Sequence, residues 1–365
     1  MSRADAFVYV ANSVTGKISI FEMDAMGGLE PCGSVELGGK AMPIVPSPDG
    51  KFLYAGFYDE DFSVASFVVD PATGGLRLLS VAPLPGNMAF LSLDAGGRFL
   101  LCASYRGHVI AVVPVNEGVI GREPVCAMPF GLHPHSILAD PSNRFVYAPR
   151  LGDDRIAQFA FDADAGALTP LAPPFVEVQA GSGPRHIRFS PDGRFAYVLH
   201  EMDGCVVSYA HDAASGCLTE RGRASIVPPG FPLERGIAGY YSPENVARRA
   251  ADPASTTGHP KMWAADIHVT PNGRHVYASE RASSILARIS ADPDSGELAF
   301  VKIIETEKQP RSFKIDPSGR FLIVSGELAE GISVYAIDDA TGDLCLLGRR
   351  QVGVGSGWVE IIRAL

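Results

Sequence analysis

Apolar and polar positions alternate in short runs along this chain, and one alternating unit keeps returning. In order, the copies read VPSPDGKFLYAGFY, LSLDAGGRFLLCASY, LADPSNRFVYAPRL, FSPDGRFAYVLHE, VTPNGRHVYASER and IDPSGRFLIVSGE, and a truncated copy, DAFVYVANS, precedes them. Each joins an apolar run to a Pro/Asp/Gly/Asn turn and then to alternating aromatic and aliphatic residues, the pattern of a β-hairpin. A further alternating strand follows each hairpin, as in SVASFVVD, RIAQFAFD, VVSYAHD and ISVYAID. Next comes an acidic, glycine-rich turn (DPATGGL, DADAGAL, DAASGCL, DPDSGEL, DDATGDL) and a last edge strand.

Four antiparallel strands in about 46 residues is the period of a propeller blade. Aligned on Phe7, Phe52, Phe99, Phe145, Phe195, His275 and Phe321, the units are spaced by 45, 47, 46, 50, 80 and 46 residues. The pattern predicts an all-β protein, a seven-bladed β-propeller of four-stranded antiparallel blades, with residues 1–365 as one domain. The first unit lacks its innermost strand, and WVEIIRAL is left over at the other end. The C-terminal strand, Trp358 to Ile362, is therefore expected to close the first blade and remove two open edges. The 80-residue spacing predicts an inserted loop around 222–262. Within it, Ser242-Pro243-Glu244 followed by NVARRAA predicts a short capped helix.

Strand one of a blade begins, and strand two ends, at the rim opposite the hairpin turn. Eight residues either side of the turn glycine therefore mark that rim, and the positions found there are unusual. They hold Tyr58, Tyr105, His135, Arg185, Glu201, Arg281, Arg311 and Glu327, whereas the strand interiors are almost wholly apolar. Innermost strands line the central channel, so these side chains are expected to converge at one channel mouth. The inserted loop joins a fourth strand to the next first strand and should cover the same mouth. His186 beside Arg185, and Asp266 and His268 just inside the strand after the loop, are further candidates for substrate contact. Arg150, Asp154 and Arg155 read as a solvated corner.

Composition narrows the choice of chemistry. A net charge of −10 offers no basic footprint for nucleic acid, and no apolar run reaches the ~20 residues that span a bilayer. MSRADAFVYVANS reads as a first strand rather than a signal peptide. Six scattered cysteines without a C-x-x-C pair read as reduced thiols, and the expected location is cytoplasmic. No metal or cofactor is expected: His133 and His135 have no evident third ligand, and neither a phosphate-binding loop nor a dinucleotide fingerprint occurs. Without a G-x-S-x-G elbow, serine nucleophilic catalysis is not expected either.

GPRHIRFSPDGRFAYVLHE, WAADIHVTPNGRHVYASER and QPRSFKIDPSGRFLIVSGE resemble the seven-bladed lactonase family over essentially the whole chain. That family holds bacterial 6-phosphogluconolactonases and fungal 3-carboxy-cis,cis-muconate lactonizing enzymes. The resemblance implies a catalytic set of one His, two Arg and one Glu, carried here by His135, Arg185, Glu201 and Arg281. Phe90 replaces a His of the phosphogluconolactonase branch, Arg106 enters the mouth through SYRGHVI, and the insertion is long. These departures bear on the substrate more than on the fold. The implied activity is hydrolysis of a small anionic sugar lactone, 6-phosphogluconolactone by default, with His135 or Glu201 as the base. Muconate-type cycloisomerisation is the first alternative, and a non-catalytic binding propeller is the second. The expected partner is a small anionic lactone or dicarboxylate, with neither nucleic acid nor membrane. A closed ring that buries its own edges is expected to be a monomer.

Overall fold

The computed structural model describes residues 4–240, 242 and 258–364. These residues form seven antiparallel sheets, and neighbouring innermost strands pack around a ring. Blades are numbered here from the one that contains Ala6–Asn12. Blade 5 shows the plan, running outward as Pro184–Phe189, Phe195–His200, Cys205–His211 and Leu218–Ser225. Blade 3 carries one additional two-residue strand, Val119–Ile120. Blade 1 takes its innermost strand from the other end of the chain. Ser356–Arg363 pairs antiparallel with Ala6–Asn12, from Ala6 opposite Arg363 to Ala11 opposite Trp358. The six cysteines are free thiols. The capped helix expected after Ser242 falls on residues 243–250, outside the described residues.

One contact between successive blades is repeated around the whole ring. The ring of the residue that starts each second strand packs against a glycine in the next blade, in the turn after the third strand. Phe7 meets Gly74, Phe52 meets Gly118, Phe99 meets Gly166 and Phe145 meets Gly216; Phe195, His275 and Phe321 meet Gly296, Gly342 and Gly27. A Cβ at any of these glycines would lie 2.3–2.7 Å from the aromatic ring. All seven also adopt positive φ, between 67° and 81°. Two independent demands, space and backbone conformation, thus fix glycine in the acidic turn. Two residues further along, Tyr9, Tyr147 and Tyr277 donate to the carbonyls of Gly74, Gly216 and Gly342 at 2.8, 2.5 and 2.6 Å. The periodic aromatic that aligned the repeats is therefore the residue that clamps blade to blade.

Core packing follows the same logic. Phe145, Tyr147 and Ile156 of blade 4 form one buried cluster with Ile187, Val198 and Val207 of blade 5. Across the seam, Ile323 and Val334 pack with Val8, Val10, Val359 and Ile361. Gly216→Ala should therefore lose at least ~2 kcal/mol: ~1–2 from a left-handed backbone and the rest from displacing Phe145. Gly222→Ala is the control, because its added Cβ would find only Ser208 Oγ, at 3.8 Å. Urea denaturation checks the pair; equal midpoints would remove the clamp from the account of stability.

Candidate active site

The innermost strands of blades 2, 5, 6 and 7 enter the channel through breaks in register, consistent with β-bulges. A bulge leaves a residue unpaired and re-aims its side chain. In blade 5 that residue is Arg185, between Pro184 opposite His200 and His186 opposite Leu199. In blade 7 it is Arg311, and in blade 6 the irregularity spans Ala265 and Asp266. The other functional candidates come from strand ends. Tyr105, Glu201 and Arg281 follow Phe99–Ser104, Phe195–His200 and His275–Glu280, and His135 follows the isolated bridge between Pro134 and Arg150.

Together they line a cavity of about 290 Å³, with Tyr105, Arg106, His135, Arg185, Glu201, Trp263, Arg281 and Arg311 in its wall. Ile237, Gly239, Tyr240 and Ser242 of the insertion form another part of the wall. The insertion thus reaches the mouth it was expected to cover. It begins after residue 225 rather than at 222, because Leu218–Ser225 is the edge strand of blade 5. Its two ends are joined at the base, where Met262 N–H donates to Glu234 O at 2.7 Å and Glu234 N–H to Pro260 O at 2.9 Å.

Charge in the cavity is dense and desolvated. Arg185 is 1% exposed and donates from Nε to Glu201 Oε2 at 2.9 Å. Its Nη1 donates to His186 Nε2 at 3.0 Å and also to the Ala265 carbonyl. Arg281 Nη2 approaches the same Glu201 oxygen at 3.7 Å, and its guanidinium lies 3.3 Å over the Trp263 ring. Glu327, not itself in the cavity wall, bridges Arg311 at 2.7 Å and Arg281 at 3.4 Å. Burial alone would raise the Glu327 carboxyl, but Arg311 and Arg281 hold it down at about 2. Burial, opposed by Glu327 and reinforced by Arg185, lowers Arg281 to about 9, so it stays cationic at neutral pH. Burial and then Arg185 push His135 well below its ordinary 6.5, which leaves a neutral imidazole. Its Nδ1 is enclosed without a hydrogen-bond partner among the described residues.

Of the residues marked by sequence, Tyr105, His135, Arg185, Glu201, Arg281 and Arg311 meet at this cavity, with Glu327 behind them. Four do not. Tyr58 stacks on Phe62, with centroids 5.1 Å apart, and does not line the cavity. His186 and Asp266 lie in the channel, 1% and 2% exposed and hydrogen-bonded to each other. His268 lines a separate cavity at the hairpin-turn end of the channel, with Ser47, Asp49 and Pro317. Side chains two apart on one strand face the same side but sit at successive depths, so Asp266 and His268 fall progressively away from the mouth.

The solvated corner is also revised. Arg155 is half-buried and paired with Glu177, and Arg150 packs over Phe130 and Phe175. Asp154 accepts from the N–H groups of Gly181 and Gly183 at 2.6 and 2.9 Å, which ties down the turn leading into Arg185. Sequence reasoning passed over Trp263, Asn87 and Tyr240. The only available signal was Trp263 standing two residues before Ala265, itself eight residues before a turn glycine.

Among the described residues cations outnumber carboxylates around the cavity, so the class this arrangement defines is a propeller with a cationic cavity at its channel mouth. The chain belongs to the seven-bladed β-propeller lactonases: the family model described as "Lactonase, 7-bladed beta-propeller" matches residues 8–361. A 6-phosphogluconolactonase of Yersinia enterocolitica is 35% identical over 356 residues, covering 97% of this chain and 98% of that protein. One from Serratia proteamaculans is 36% identical over 355 residues, covering 97% and 98%. Among solved structures, the periplasmic gluconolactonase of Pseudomonas aeruginosa is similar with a TM-score of 0.83 and 25% identity, and 99% of each chain is covered.

Glu327→Gln should destabilise the protein by on the order of 2–3 kcal/mol at pH 7, by uncovering two guanidiniums. The sign with pH follows from the depressed carboxyl. Its contribution is complete above the unfolded value of 4.5 and is lost as pH falls toward about 2. Denaturant titrations of both proteins at neutral and acid pH should show the gap closing; a gap constant with pH would contradict the ionised pairing.

Proposed function

We propose that this protein hydrolyses a phosphorylated sugar lactone, with 6-phosphogluconolactone as its substrate. The observation that carries this reading is the cavity itself, where a neutral His135 faces a buried Arg185–Glu201–Arg281 cluster. Among the described residues, guanidiniums (Arg106, Arg185, Arg281, Arg311) outnumber carboxylates (Glu201, Glu327) around the cavity. That excess favours an anionic ligand such as a phosphate monoester, which carries about −1.5 to −2 at neutral pH. The names of the relatives point to the same substrate class, and neither muconate cyclisation nor a binding platform gains support from them.

In the proposed reaction, His135 takes a proton from water as the water oxygen bonds to the lactone carbonyl carbon. His135 serves better than Glu201, whose Oε2 is held by Arg185 and approached by Arg281. The carbonyl oxygen becomes an oxyanion and is met by Arg185, already fixed by its other hydrogen bonds. As the ring C–O bond breaks, imidazolium returns the proton to the leaving oxygen, giving a hydroxyl and a carboxylic acid. Arg281, Arg311 and Arg106 hold the phosphate, for which guanidinium is suited bidentately. Free thiols throughout support a reducing, cytoplasmic location, and a ring closed at its seam supports a monomer.

The test is turnover of 6-phosphogluconolactone against its spontaneous hydrolysis. Arg185→Ala should lose ~10²–10³-fold in kcat and, by stranding the buried Glu201, should also lower Tm; His135→Asn should lose ~10²–10⁴-fold with an unchanged Tm. Because His135 titrates well below 6.5, the activity of the unmutated protein should stay level above that pH and fall only on further acidification. Purified protein that fails to outpace spontaneous hydrolysis would refute the substrate, and a fully active His135→Asn would refute the base.

A further inference from the structure

We propose that His186 and Asp266 are positioning residues, a carboxylate–imidazole pair inside the channel that fixes Arg185 with its Nη2 end left for the substrate. The proposal rests on the lactonase reading above, and adds to it how the oxyanion-binding guanidinium is aimed. Successive residues of a regular strand point to opposite faces. The register break at Arg185 departs from that rule, and both Arg185 and His186 turn into the channel, where their side chains hydrogen-bond each other.

The pair has a defined polarity. His186 Nδ1 is 2.9 Å from Asp266 Oδ1, so the ring donates there, and Nε2 is left as a lone pair that accepts from Arg185 Nη1 at 3.0 Å. Asp266 is itself held in place: Ile267 N–H donates to Oδ1 at 2.9 Å, Arg188 Nη2 lies 3.6 Å away, and His268 Nε2 is 3.4 Å from Oδ2. Edge contacts with Phe90 and His135, at 5.1 and 5.2 Å, keep the His186 ring from turning. Burial, with Arg185 next, holds His186 down at about 3, so it remains an acceptor through the working pH range. With Nε on Glu201 and Nη1 on His186 and Ala265, Nη2 is the end of Arg185 without a partner among the described residues. A carboxylate that sets the tautomer of a histidine is a known way to fix catalytic geometry. Here the group aimed by the histidine is an arginine.

His186→Phe keeps the ring packing and removes the acceptor, whereas His186→Gln restores a carbonyl near the place of Nε2. The expected result for His186→Phe is a ~10–100-fold loss in kcat with KM within about threefold, the scale seen when supporting hydrogen bonds are removed. His186→Gln should recover most of that loss and melt close to the unmutated protein, whereas His186→Phe, which takes a donor from the buried Asp266, should melt lower. A merely structural histidine would not give a kcat-selective loss rescued by an acceptor. ¹⁵N NMR of histidine-labelled protein supplies a readout that needs no turnover. It should show His186 neutral and protonated at Nδ1, and Asp266→Asn should move part of that population to the Nε2-protonated form. Full activity in His186→Phe, no rescue by Gln, or an Nε2-protonated ring in the unmutated protein would each overturn the proposal. An inactive protein with the expected Nδ1 tautomer would instead refute the lactonase reading and leave the hydrogen-bonded pair standing.

Discussion

A guanidinium withdrawn almost entirely from water must be neutralised where it stands, and Arg185 meets Glu201 at 2.9 Å for that reason. Removing one partner of such a pair typically costs 3–5 kcal/mol, because the other charge is stranded. The rest of the channel mouth is organised around this demand. Arg281 leans on the same carboxylate from blade 6, and Glu327 from blade 7 restores the balance for Arg281 and Arg311. Three adjacent blades are therefore tied by alternating charges at the narrow end, just as glycine–aromatic clamps tie all seven further out. The arrangement is stiff because Glu201, Arg281 and Glu327 each meet two charged neighbours. Stiffness of that kind suits electrostatic stabilisation of a developing charge, since little reorganisation is then needed when the charge appears.

Most of the fold was legible because its requirements are local. A hairpin turn needs particular residues, a left-handed glycine beneath an aromatic ring needs glycine, and both recur at the blade period. The rim positions were legible for a related reason: with the turn as origin, distance along the strand becomes depth in the channel. That count found Tyr105, His135, Arg185, Glu201, Arg281, Arg311 and Glu327. It failed at Tyr58, because a common depth does not make every blade contribute to one cavity. His186 and Asp266 were singled out for substrate contact but lie outside the cavity wall, because register shifts are absent from the alternation pattern that a sequence displays. Trp263 was missed because it stands two residues outside the eight-residue count, opposite Arg281, whose N–H donates to its carbonyl at 3.1 Å.

The insertion before blade 6 contributes no charged group to the cavity wall among the described residues. It brings Ile237, Gly239 and Tyr240 to a wall to which the blades contribute Asn87, Ala89, Tyr105 and Trp263 beside His135, Glu201 and the arginines. The cavity therefore offers aromatic and aliphatic surface as well as charge. The base of the loop is pinned through Glu234, Pro260 and Met262, so its near end approaches the cavity from a fixed direction.

Closing blade 1 with Ser356–Arg363 also sets a schedule for synthesis. When Ala6–Asn12 leaves the ribosome, its innermost partner is more than three hundred residues from being made. At ~5–20 residues per second, the open edge waits on the order of 20–70 s for its strand. Blades 2 to 7 can each complete their own sheets in turn, but the first blade is the last to be finished. During that interval the unpaired edge of Ala6–Asn12 is the surface most open to a wrong strand, from the same chain or from another emerging beside it.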